Sequence, residues 1–307
     1  MHSGHTLIRI LVLLAILLML SGLALAGVYN GVVVYGDSLS DNGNLYGAIG
    51  YPPPPYWMGR FSNGPVAVEQ LSSTLGVPLT DWAWGGATTG IGNVSDGGTE
   101  QNLGVLGLPG MTTTYDLTVG SITPQMAANS LFMIWGGPND FSSNGLTMQT
   151  ADAAVGYIMN IVDGLQAIGV QHIFVPGMPD LGKTPDYINH GLGTLGSQLS
   201  LYFNSELVKA LQGKGVAYFD TYSLMDDVIA NPGKYGLTDV TDPCFDGVNV
   251  CSNPNQYLFW DSFHPTTYAD SILAENFYNT VVPEPATFVM LGTGIIGVFS
   301  FARSRLS

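Results

Sequence analysis

The sequence predicts an α/β protein, a three-layer α/β/α sandwich around a parallel five-stranded sheet. Short apolar runs bounded by Gly and Pro alternate with longer runs of helical period. The apolar runs lack the in-out alternation of half-exposed strands, as befits a sheet buried on both faces. Strands separated by helical stretches pair in parallel through crossovers, which puts helices on both sides.

The elements follow in order. Gly31 to Tyr35 is the first strand, and Val66 to Leu75 an amphipathic helix. Leu79 to Trp84 reads as the second strand, Leu131 to Trp135 (LFMIW) as the third, His172 to Val175 as the fourth and Val216 to Phe219 as the fifth. Helical patterns lie near Thr150–Ile168, Leu199–Gln212 and Thr267–Tyr278. The glycine-dense Gly85 to Gly110 stretch reads as a structureless loop, of the kind that is functional or mobile. Pro52 to Pro55 is a stiff extended segment flanked by Tyr51, Tyr56 and Trp57. There is no solenoid period and no second domain.

Both ends read as addresses. His2, His5 and Arg9 precede the apolar run Ile10 to Leu20, and Ala24-x-Ala26 follows. This is the plan of a secretory signal peptide over residues 1–26, with cleavage before Gly27. The run is short of the roughly 20 residues a membrane span needs. At the other end, Val281-Val-Pro-Glu-Pro285 leads into an uncharged run, Ala286 to Ala302, closed by Arg303-Ser-Arg305. That run just suffices to span a bilayer, and Gly292, Gly294 and Gly297 would weaken a soluble helix.

Between the ends, residues 27–285 carry all 23 acidic residues but just five basic ones, Arg60, Lys183, Lys209, Lys214 and Lys234. Five minus 23 leaves −18, which argues against nucleic acid or an anionic membrane as partner. The two cysteines, Cys244 and Cys251, are expected to form a disulfide in an oxidising compartment. As a metal site they are poor, because two thiols with no nearby His make half a zinc centre. The acidic stretch Asp239 to Asp246 does not have the spacing of a calcium-binding EF-hand loop.

Chemistry is concentrated where strands end. The first strand stops on Gly36-Asp-Ser38, at the sheet edge where α/β enzymes build their sites. A plain turn would also need Gly and Asp there. Serine is a weak nucleophile that requires a base oriented by a third group. Of five histidines, His2 and His5 fall in the signal peptide, His172 begins a strand and His190 sits in a Gly-rich loop. His264 remains, three residues after Asp261 in Trp260-Asp-Ser-Phe-His-Pro265. That spacing lets the carboxylate fix one ring nitrogen and leaves the other for Ser38. It equally suits an aspartate that caps a helix. Two further strand ends, Asp81-Trp-Ala-Trp-Gly-Gly-Ala87 and Trp135-Gly-Gly-Pro-Asn-Asp140, supply Gly86 and Asn139 as donors for an oxyanion. Trp57, Trp82, Trp84 and Phe141 are candidates for apolar surface near the site, or for core.

Together, Gly36-Asp-Ser-Leu-Ser40, Gly86, Asn139 in GGPND and Asp261 with His264 resemble the blocks of SGNH hydrolases, specifically the GDSL esterase/lipase family. Asp41-Asn-Gly-Asn44, Gly59-Arg-Phe-Ser-Asn-Gly64 and Leu258-Phe-Trp-Asp261 support the likeness, which spans about Val32 to Tyr278. The resemblance implies a flavodoxin-like sheet, Ser38 as nucleophile, His264 as base and then acid, and Asp261 as its orienter. The oxyanion hole it implies is made of the N–H groups of Ser38 and Gly86 and the amide of Asn139. Asp81 stands where the second block often has Asn, which puts one loop-bracing hydrogen bond in question. No G-x-S-x-G elbow occurs. The C-terminal VPEP, apolar run and Arg-rich end resemble the PEP-CTERM sorting signal of exopolysaccharide-producing Gram-negative bacteria, whose tail an exosortase processes.

The expected organisation is therefore a signal peptide (1–26), a hydrolase domain (27–282) and a sorting signal with a transmembrane segment (283–307). The expected function is exported ester hydrolysis, with neither cofactor nor metal and with transient anchoring before release to the surface or medium. A polysaccharide O-acetylesterase and a non-catalytic matrix protein on the same scaffold are the alternatives.

Overall fold

Every residue of GVVVYG is buried, and in the computed structural model, which describes residues 29–282, this run forms strand β1 (Gly31–Gly36). It pairs in parallel with β2 (Leu79–Asp81) on one side and β3 (Ser130–Trp135) on the other. Strands β4 (His172–Pro176) and β5 (Ala217–Phe219) extend the sheet, giving the order β2-β1-β3-β4-β5, parallel throughout. The helices are α1 (Asn44–Ile49), α2 (Ala67–Leu75), α3 (Met111–Thr118), α4 (Pro124–Asn129), α5 (Pro138–Asn144), α6 (Met148–Ala167), α7 (Pro185–Asn189), α8 (Gly193–Leu211), α9 (Thr221–Ala230) and α10 (Thr267–Val281). Outside the main sheet, β6 (Asp239–Pro243) pairs in parallel with β7 (Tyr257–Phe259).

Period-2 alternation assigns the two faces of the sheet. Val33, Tyr35, Phe132, Ile134, Ile173 and Val175 join a core with α6 and α8. One step along the strands, Trp135, Phe174 and Phe219 meet Phe277 of α10 edge-on at 5.4, 5.2 and 5.4 Å. Helix α10 packs in turn on α2. The result is the three-layer sandwich that the alternation of strands and helices implied.

Two local expectations need correction. Strand β2 ends at Asp81 rather than Trp84, yet the N–H groups of Trp82 and Trp84 still donate to the carbonyls of Val34 and Gly36. The chain thus keeps following β1 to its end. The Gly85–Gly110 stretch has a defined course, buried from Gly85 to Gly90 and again from Leu108 to Gly110, with its 101–107 tip exposed. Its glycines are there for backbone contact: a Cβ on Gly90 would lie 2.2 Å from the Glu100 carbonyl, and one on Gly110 would lie 2.3 Å from the Gly90 carbonyl. Buried Asn93 pins the fold of this stretch, donating to the Gly85 carbonyl at 2.9 Å and accepting from the Ser95 N–H at 2.8 Å. Asp96 accepts the N–H groups of Leu106 and Leu108. The six short helices α1, α3, α4, α5, α7 and α9 were not read from the sequence, because two turns or so give too little apolar period to stand out. The expected signal peptide, and the sorting tail with the run expected to span a membrane, lie outside the described residues. Among the described residues, no helix is long and apolar enough to cross a membrane.

Asn93→Ala removes the shorter of two hydrogen bonds to the Gly85 carbonyl, which the Ser95 hydroxyl also reaches at 3.3 Å, and takes away the acceptor of the Ser95 N–H. It should lower the free energy of unfolding by about 1–3 kcal/mol, measured in urea with an unchanged m-value.

Candidate active site

From β1 the chain moves to β2 on one side, then crosses to β3 on the other, so the carboxyl ends of β1 and β3 border a topological switch point. Ser38 follows β1, Gly86 follows β2, Asn139 lies in the first turn of α5 after β3, and His264 lies between β7 and α10. Across 226 positions of sequence, His264 Nε2 comes to 2.8 Å from Ser38 Oγ. His264 Nδ1 lies 2.8 Å from Asp261 Oδ2 and 3.0 Å from Oδ1. Asp261 Oδ1 also accepts the N–H groups of Phe263 and His264, each at 2.8 Å. The aspartate therefore caps the turn and orients the ring at once. That turn is shut by the Trp260 N–H, which donates to the His264 carbonyl at 2.7 Å.

One partner was not foreseen. The Tyr56 hydroxyl donates to Asp261 Oδ2 at 2.8 Å, from the end of the Pro52–Pro55 segment. Phe61 sets its ring 4.9 Å from that of His264, tilted by 38°. Both belong to a stretch whose Gly59–Gly64 block was visible in the sequence, but nothing local marked Tyr56 as a donor. Burial pushes the Asp261 carboxyl up, and His264 beside it outweighs that, holding it below the ordinary range. Burial pushes the imidazole down, but the Asp261 charge wins and its pKa stands above 6.5. Asp37, buried with Oδ2 unpartnered among the described residues, is pushed by burial up to about 6.

The candidate donors converge on the same place. Gly86 has φ +78°, and a Cβ there would lie 2.2 Å from Ser95 Oγ, so no other residue fits. Asn139 gives one amide hydrogen to the Ala87 carbonyl at 2.9 Å and keeps a second to give. Asp140 beside it accepts from the N–H and hydroxyl of Thr89, and burial pushes its carboxyl up to about 7. Asp41 accepts four backbone N–H groups, those of Gly43, Asn44, Leu45 and Gly85. Asp81 retains the bracing that its departure from Asn put in question: its Oδ2 accepts the Asn42 N–H at 3.0 Å.

Ser38, Gly86, Asn139 and His264 line one cavity of about 540 Å³. Of the four residues weighed as cavity lining or as core, none lines the cavity. Trp82 and Trp84 pack against the core and Phe141 is buried in it, while Trp57 stacks under Arg60 at 4.9 Å. Tyr51, Phe61 and Phe263 supply the aromatic surface instead. His172 meets Tyr29 edge-on at 5.3 Å, and exposed His190 holds to the Asp186 carbonyl; neither approaches the site. Cys244 and Cys251 are bonded to each other. Asp239 and Asp246 accept N–H groups of their own turns.

Residues 32–277 match the model of the GDSL-like lipase/acylhydrolase family. The chain belongs to that family. Among GDSL-like relatives, it is 29% identical over 276 residues to the thermolabile hemolysin of Vibrio parahaemolyticus, covering 80% of this chain and 62% of the hemolysin, less than two thirds of that protein's length. It is 27% identical over 303 residues to a phosphatidylcholine-sterol acyltransferase of Aeromonas hydrophila, covering 80% and 88% of the two chains. A GDSL esterase/lipase of Arabidopsis thaliana matches at 26% over 353 residues, covering 91% and 99%. Residues 281–305 match the PEP-CTERM protein-sorting motif, which marks this GDSL-like chain for export.

Removing the Tyr56 hydroxyl leaves the Asp261 charge less satisfied and the imidazolium correspondingly more favoured. Tyr56→Phe should raise the His264 pKa by roughly half a unit, read by NMR titration of the ring. Folded Asp37 and Asp140 hold protons that the unfolded chain has already released. Their contribution is complete below the ordinary carboxylate pKa and is lost as pH rises through about 6 and about 7. The thermal midpoint should accordingly be higher at pH 5 than at pH 8, and Asp140→Asn should shrink the difference.

Proposed function

We propose that the protein is an exported carboxylic ester hydrolase that works through an acyl-enzyme on Ser38. The observation that carries the reading is the unbroken hydrogen-bonded series from Ser38 Oγ to His264 and on to Asp261, ending in the cavity. His264 Nε2 takes the Ser38 proton as Oγ attacks the ester carbonyl. Asp261 fixes the tautomer and balances the imidazolium charge. The developing oxyanion takes hydrogen bonds from the N–H groups of Ser38 and Gly86 and from the Asn139 amide. His264 returns the proton to the departing alcohol, then deprotonates the water that cleaves the acyl-enzyme.

Family membership supports this chemistry, as does the lining of one cavity by Ser38, Gly86 and Asn139. The sorting motif supports an exported setting, in which residues 1–26 are removed and an exosortase-type enzyme processes residues 283–307 after transient anchoring. The disulfide between Cys244 and Cys251 suits an oxidising compartment.

Ser38→Ala should reduce hydrolysis of p-nitrophenyl butyrate at least about a thousandfold with an unchanged melting curve, and should abolish labelling by a fluorophosphonate. Activity or labelling that survives the substitution would remove Ser38 from the mechanism. Asn139→Ala should cost about a hundredfold to a thousandfold in kcat. Because the base must be neutral, kcat/KM should rise with pH through a midpoint above 6.5, the ordinary value for histidine.

A further inference from the structure

The cavity continues well past the serine. Helix α9 lines it with Leu224, Met225 and Val228, and α10 lines it with Ala269, Ile272 and Leu273. On each helix these positions are three and four residues apart and so share one face. Two apolar stripes thus look onto the same space, and all of these residues but Leu273 belong to one hydrophobic cluster around Val228 and Ala269. The carboxylate and the imidazole among the lining residues, Asp37 and His264, both lie at the Ser38 end. A site for a sugar would need polar side chains along its length; on these two helices the polar lining is confined to Thr221 at the start of α9, and the rest of both stripes is apolar.

We propose that the space between α9 and α10 is an acyl-chain site, so that the preferred substrates are esters of medium to long fatty acids. The inference rests on the hydrolase reading, which places the ester carbonyl at Ser38. With that carbonyl fixed, the alkyl chain runs along the two stripes. From Thr221 to Val228 the α9 face is about 10 Å long at 1.5 Å per residue, far more than an acetyl group occupies. The cavity volume of about 540 Å³ lies within the range of sites that enclose small ligands. Met225 and Ala269, on opposite walls, are the specificity-determining positions.

The test is a chain-length series of p-nitrophenyl esters on the full chain, with two wall variants and a binding measurement. Burial of each methylene is worth roughly a factor of four, so kcat/KM should rise at least about a hundredfold from acetate to octanoate. Met225→Trp narrows the space from a half-buried position that tolerates bulk, and Ala269→Leu narrows it from the other wall. Each should lower the octanoate-to-acetate ratio of kcat/KM about tenfold or more. In a Ser38→Ala background, calorimetry should detect binding of methyl octanoate, and adding Met225→Trp should abolish it. A flat or falling series, or variants that slow both esters equally, overturns the proposal. The two readings fail separately. Methyl octanoate bound by the Ser38→Ala chain, with no ester hydrolysed by the unsubstituted one, keeps the chain site and ends the hydrolase. Best cleavage of acetate or of an acetylated polysaccharide, with no methyl octanoate binding, keeps the hydrolase and ends the chain site.

Discussion

The carboxylate of Asp41 fixes the relation between the loops that carry the site. It accepts from Gly43, Asn44 and Leu45 at 2.7, 2.6 and 3.1 Å, closing the turn after β1. Its fourth bond, 2.6 Å from the Gly85 N–H, crosses 44 positions to the end of β2. Ser38 stands just before Asp41 and Gly86 just after Gly85, so one buried carboxylate sets the spacing of two residues proposed as oxyanion donors. Hydrogen bonds from N–H to a charged acceptor are about twice as strong as neutral ones. Beyond the last ladder bond of a sheet, nothing else of that strength is available to hold a loop. Asp140 repeats the device between the second and third loops, joining Thr89 to the turn that bears Asn139. Asp261 repeats it a third time, within the turn that bears His264.

These braces impose a cost that the site sorts by partner. Desolvation disfavours the charged form of any buried carboxyl. Asp41 and Asp37 answer it with backbone N–H donors and Asp140 with the N–H and hydroxyl of Thr89, and all three are pushed upward. Asp261 has an imidazole beside it as well as the phenol of Tyr56, and it alone of the four is held down. The aspartate that must remain an anion is thus the one given a cation. Structural aspartates need not stay charged so firmly, because their role is to accept N–H hydrogens.

The legibility of each part in the sequence follows its scale. Strands β1, β3 and β4 could be read because five or six consecutive residues, nearly all buried, leave a continuous apolar run. Ser38, Gly86, Asn139 and Asp261 with His264 could be read because each sits in a short block at a strand end or turn, and the parallel topology brings such ends to one edge. The Gly85–Gly110 stretch was misread because dense glycine has two opposite causes. One is freedom; the other is backbone packed on backbone, as at Gly90 and Gly110. Trp82 and Trp84 stayed open between lining and core because nearness to Gly86 in sequence says nothing about which side of the chain a ring takes; Trp82 lies 5.3 Å from Tyr35, in the core. Tyr56 was invisible for the converse reason, its partner being 205 positions away.

The cavity is the least local feature, and α10 explains why its shape and the chemistry belong together. The helix begins three residues after His264. Its start is tied down by the Thr267 N–H, which donates to Asn63 at 2.8 Å, and by the Thr267 hydroxyl, which donates to the Pro65 carbonyl at 2.8 Å. The Ser62 hydroxyl holds the intervening Pro265 carbonyl at 2.9 Å. Further along, Phe277 is clasped by rings from three strands of the sheet. Between those anchors lie Ala269, Ile272 and Leu273, the wall of the cavity. A displacement of α10 large enough to widen that wall would also pull on the turn that presents the imidazole to Ser38. Because a packed interior transmits strain rather than absorbing it, the α10 wall of the apolar space and the reach of the base are set by one rigid element, and a shift of that helix would disturb both.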